Sequence, residues 1–162
     1  MITRTLLHGA VLSVLASALL IFSMWINPRL YLQDYPPEIQ ASVPPKTAKE
    51  KRLGLVVGIP FLLLLLGVPL VSTLALKHEL AQVPFLALLA NAFGIGFVFN
   101  AVDWLILDWW MFCTMTPRFL VIAGSEGMAA YKDYSYHFRG FLIGTVISAV
   151  GGLIIAALAW FL

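Results

Sequence analysis

A chain of 162 residues that is 61% hydrophobic and only 11% charged carries more apolar surface than one water-soluble core of that length can hide. Its mean hydropathy of +0.94 points to lipid as the main solvent, and with a net charge of only +2 no nucleic-acid partner is expected. The single cysteine, Cys113, excludes an intramolecular disulfide and a metal site of the zinc-finger type, and is expected to be a small buried hydrophobe.

Four apolar runs, about 5–26, 53–76, 85–108 and 140–162, each reach the roughly 20 residues that a spanning helix needs. The runs are continuous rather than alternating, so they predict helices and not barrel strands. The expected fold is all-α, a single polytopic membrane domain over residues 1–162 with segments 27–52 and 109–139 as its long loops.

The first span ends at Asn27-Pro28, because proline cannot continue the hydrogen-bond ladder and disfavours helix in the residue before it. Arg4 and Ala16-Ser17-Ala18 also fit a cleaved signal peptide, but the apolar run continues to Trp25, which suits a span better. Residues 29–45 carry Pro36-Pro37 and Pro44-Pro45 and predict extended or short interfacial structure, with Leu30, Tyr31 and Tyr35 at the headgroup level. Thr47 followed by Glu50 is a capping-box pattern, so the second helix should start in water before its apolar part. Lys49, Lys51 and Arg52 then form a cationic collar attracted to anionic lipid. Pro60 and Pro69 predict bends in that helix, read as shape, with a moving part as the alternative.

The third span carries Asn91, Asn100, Asp103 and Asp108 inside apolar sequence. A carboxylate near the bilayer centre costs roughly 2.5–3.5 kcal/mol on insertion scales, so such residues tend to be paired, to face protein, or to line a cavity. On a regular α-helix Gly96, Asn100 and Asp103 share a face, whereas Asp108 falls about 140° from Asp103 and should address a different neighbour. Two placements are open. If Trp104, Trp109 and Trp110 mark the interface, the acids lie near headgroups and pair with His137, Arg139, Arg118 or Lys132. If the helix runs unbroken to Met115, then Asn100, Asp103 and Asp108 make an ion, proton or small-solute site. A third reading gathers Asp103, Asp108, Glu126, His137 and Arg139 at the surface to take a metal or a lipid phosphate. No HExxH, CxxC, phosphate loop or nucleophile elbow supports it, and the sequence implies no particular metal, cofactor or catalytic residue. His8, His78 and Glu79 read as interfacial polar residues at the opposite end.

Beyond Pro117-Arg118, residues 119–123 predict a short extended run and Gly124-Ser125-Glu126-Gly127 a turn, followed by an aromatic cluster of Tyr131, Tyr134, Tyr136 and Phe138 at the interface. The fourth span holds Gly140, Gly144, Ser148, Gly152 and Ala156 at spacings of four, a ridge along which another helix can approach closely. Gly9, Ser13 and Ser17 make a shorter stripe, and Gly54 with Gly58 a minimal one. Arg29, Lys46, Lys49, Lys51, Arg52, Arg118, Lys132 and Arg139 lie in or beside the long loops, against Arg4 and Lys77 at the other end. The asymmetry predicts cytoplasmic loops, with both termini and segment 77–84 outside.

The run from Asp103 through Trp104 to Asp108-Trp109, with Thr116-Pro117-Arg118-Phe119, Tyr131-Lys132-Asp133-Tyr134, His137-Phe138-Arg139-Gly140-Phe141 and Pro44-Pro45-Lys46-Thr47, resembles an uncharacterised family of small four-helix bacterial integral membrane proteins. The resemblance extends over most of the chain and implies a bacterial cytoplasmic membrane, without implying an activity. Three functions stay open. They are an oligomeric channel or transporter-like protein with a polar cation or proton site, an accessory subunit docking a larger membrane complex by its small-residue ridge, and a lipid-headgroup-modifying enzyme.

Overall fold

The computed structural model describes residues 1–80 and 82–162. It contains four helices long and apolar enough to cross a membrane, Ile2–Ile26, Ala48–Glu79, Phe85–Met115 and Tyr134–Phe161. Among the described residues there is no strand, and the fold is all-α and polytopic. In chain order the helices are α1 (Ile2–Ile26), the short α2 (Pro37–Ser42), α3 (Ala48–Glu79), α4 (Phe85–Val102) and α5 (Tyr134–Phe161); a π-helix, Asp103–Met115, prolongs α4 without a break.

Side chains set the helix ends. Asn27 is extended at the end of α1, and its carboxamide accepts the Arg29 N–H at 3.0 Å to open the 3-10 turn Pro28–Asp34. Thr47 Oγ1 accepts the Glu50 N–H at 3.2 Å while Glu50 Oε2 accepts the Thr47 N–H at 2.7 Å, so the predicted capping box starts α3. Asp133 caps α5, which begins at Tyr134 rather than at 140, because this cap lies outside the apolar run. Of the two extents open for the third span, the longer one stands: the helix passes 108 and continues to Met115. Residues 119–123 do not form one extended run: Arg118–Leu120 is a 3-10 turn, Val121 alone is shown extended after it, and the segment has no partner strand among the described residues.

α4 is the central helix, packing on α1, α3 and α5. Lipid tails are as apolar as leucine, so close backbone contact drives these pairings. A Cβ on Gly152 would lie 2.8 Å from the Phe93 backbone nitrogen, one on Gly96 would lie 3.3 Å from Ser148 Oγ, and Gly144 faces the Asn100 carboxamide. The ridge from Gly144 to the fully buried Ala156 therefore packs on α4 within one chain, while Gly140 faces open space. Gly9 meets Val98, and Gly94 meets Thr5, across the α1–α4 contact. Gly54 and Gly58 serve no such contact: a Cβ on Gly54 would reach only the Leu30 carbonyl, at 4.0 Å, and Gly58 has nothing within 4 Å.

At the loop end, the two connecting segments fold together into a cap. Leu32, Tyr35, Ile39 and Val43 from the first pack on Leu120, Ile122 and Tyr131 from the second, above Phe112 and Cys113 of the π-helix. The Tyr35 hydroxyl donates to the Leu120 carbonyl at 2.8 Å, and burial, with lesser contributions from the Tyr131 and Asp34 charges, raises its pKa and keeps it a neutral donor. Tyr131 accepts the Ile122 N–H at 2.9 Å and bonds Ser125 Oγ at 2.7 Å. Gly124 and Gly127, at φ +91 and +75, supply the two left-handed turns that fold the second segment back.

Candidate functional site

The change from α- to π-helix at Asp103 decides the geometry of the polar centre. A π-helix bonds i to i+5, with roughly 4.4 residues per turn, so side chains five apart lie about 50° apart instead of about 140°. The pattern is visible in Thr116 N–H donating to Met111 O at 2.9 Å and Thr114 Oγ1 to Trp109 O at 2.7 Å. Trp104 and Trp109, five apart, touch with ring centroids at 4.6 Å. Asp103 and Asp108 have the same spacing and share a face, contrary to the angle expected for a regular α-helix.

α5 brings His137 to that face. Its Nδ1 lies 3.0 Å from Asp108 Oδ1, and its ring packs against Phe112 at a centroid distance of 4.7 Å. His137 is buried, and among the described residues its Nε2 has no hydrogen-bond partner. Asp103 is half-buried and makes no side-chain hydrogen bond among the described residues; Asp108, His137 and Asp34 are the charges near enough to act on it. The Cys113 thiol, fully buried as expected, lies beside the imidazole. Trp104 stacks on Phe141 at 4.4 Å, and among the described residues its buried indole N–H also has no partner.

The remaining predicted site residues lie elsewhere. Asn100 Nδ2 donates to the Phe141 carbonyl at 3.0 Å and to Thr145 Oγ1 at 3.1 Å, so its amide clasps α4 to α5. Arg118 and Arg139 are exposed and form no ion pair among the described residues. Lys132 donates to Thr114 O at 3.0 Å and to Thr116 Oγ1 at 2.7 Å, capping the π-helix. Glu126 accepts the Gly124 N–H within its own turn. Among the described residues no group of three or more His, Cys, Asp and Glu is placed to hold a metal.

A second polar cluster sits toward the other end. Asn91, fully buried on α4, accepts from Thr5 Oγ1 at 2.9 Å and donates to Ser72 Oγ and Thr73 Oγ1, each at 3.1 Å. His8 Nδ1 joins Ser72 Oγ at 2.6 Å, while Arg4 pairs with Glu79. Sequence reasoning marked Asn91 as polar but missed its role. The available signal was an amide in an apolar run whose partners had to come from Thr5, Ser72 and Thr73, hydroxyls on the two neighbouring spans.

Chemically, the loop-end centre holds two carboxylates and one imidazole in the wall of a membrane helix bundle. An ionised Asp108 with a protonated His137 is neutral as a pair, Asp34 is offset by Lys46, and an ionised Asp103 leaves one negative charge over. One proton restores neutrality. Comparison of the chain with family models, with curated proteins and with solved structures returns no match.

Proposed function

We propose that this integral membrane protein is transporter- or channel-like, and that Asp103, Asp108 and His137 bind and release a proton. The observation that carries the reading is the 3.0 Å contact between Asp108 and His137, in a helical register that turns Asp103 to the same side. An ionisable cluster within spanning helices marks an ion or proton path by default, and π-helical turns are frequent at functional sites. The buried Nε2 of His137, without a partner among the described residues, fits a proton position left open between turnovers. Asn100 is not part of this site, because its amide is spent on α5. The excess of basic residues at the loop end supports that end facing the cytoplasm of a bacterial cell.

The test is ion and proton flux in liposomes loaded with a pH-sensitive dye. Asp103→Asn should abolish flux and His137→Gln should lower it at least ten-fold, about 1.4 kcal/mol or more in barrier. Undiminished flux in Asp103→Asn removes the site.

A further inference from the structure

We propose that a second site, distinct from the polar centre, seats one anionic phospholipid in a cavity of about 480 Å³ between α1, the Pro28–Asp34 turn and the first turns of α3. The walls change character with depth. Lys46 and Lys51 line the outer part, whereas Leu55 and Phe61 line the inner part, toward the middle of the span. The floor exists because Gly54 and Gly58, one turn apart, carry no side chain and no helix packs on them. A ligand matching both parts needs an anion at one end and a hydrocarbon chain at the other.

The rim is positive. Lys46 is held by the Leu30 carbonyl at 2.8 Å and by Gln33, but Lys51 has no side-chain partner among the described residues, which leaves its ammonium free for a phosphate. Asp34 also lines the cavity, with its carboxylate taking the Gln33 amide at 2.7 Å, and two lysines outweigh it. Lys49 and Arg52 flank the same turn of α3 and add to the attraction. Because the cavity lies where α3 leaves the apolar zone, the bilayer itself delivers the ligand with its phosphate at rim height and its chain along Gly54, Gly58 and Phe61.

Native mass spectrometry of the full chain in mild detergent tests this with phosphatidylglycerol, with phosphatidylcholine of the same chains, and with glycerol 3-phosphate as a headgroup lacking chains. Phosphatidylglycerol should be retained about five-fold more than phosphatidylcholine, and Lys51→Gln should erase most of that preference, as expected for one lysine at a lipid phosphate. Gly58→Leu, whose added atoms enter open space and fill the floor, should reduce retention of phosphatidylglycerol with the rim charges unchanged. Glycerol 3-phosphate should not compete. Equal retention of the two lipids, insensitive to both substitutions, overturns the proposal, and so does displacement of phosphatidylglycerol by glycerol 3-phosphate. Flux through the polar centre is read separately, so either idea can fail without the other.

Discussion

Asn91 and Asn100 sit on one helix and do the same physical task at different depths. Each uses its amide to tie α4 to a neighbour, Asn91 to α1 and α3 and Asn100 to α5. Interhelical hydrogen bonds in membranes average about 0.6 kcal/mol and reach about 1.7, so Asn91→Leu, which removes three of them at once, should cost about 1–2 kcal/mol in unfolding measured in detergent. Asp133 allows a prediction with a sign. The Ser135 hydroxyl at 2.7 Å, and then the Tyr136 N–H at 2.9 Å, hold its carboxyl below the ordinary 3.8. A lowered folded value stabilises the fold above the unfolded pKa and is lost as pH falls through the folded one. Asp133→Ala should therefore lower stability by about 0.5–2 kcal/mol at neutral pH, and the gap to the parent protein should close on acidification through that range in thermal melts. The sequence made both asparagines visible but not their partners, because a hydroxyl on another span becomes a partner only through the packing of helices.

At the scale of the element, legibility followed local chemistry. The capping box at Thr47 and the break at Asn27-Pro28 are written in adjacent residues and stand where expected. The π-helix is not, since i to i+5 bonding has no residue pattern comparable to a cap, and an assumed α-register turned Asp108 away from Asp103. The extent of the third span was open in the sequence between 108 and 115, and the backbone ladder runs on to Met115. The small-residue ridge was readable as a ridge, but only the packed helices show it spent within the chain on α4. Gly152→Ala drives a methyl into the Phe93 backbone, which no side-chain rotation relieves, and should destabilise by about 1–3 kcal/mol. Gly151→Ala, with nothing within 4 Å, is the control and should leave the detergent melting curve nearly unchanged.

For the whole molecule, the proposed orientation, with the loop end inward, can be checked by labelling. With Cys113 replaced by serine, a cysteine at Lys49 should resist a membrane-impermeant maleimide in intact cells, and one at Gln82 should react. The reverse pattern would invert the assignment. The cap at the loop end carries a further consequence, which concerns biogenesis. Tyr35 and Leu120 are joined across 85 residues, so Leu32, Tyr35, Ile39 and Val43 have no apolar neighbours from the far segment until that segment is synthesised. At 5–20 residues per second the wait is roughly 4–17 s. Throughout that interval the nascent chain presents a sticky patch at the membrane surface, and completing the last stretch before the fourth helix is what quenches it.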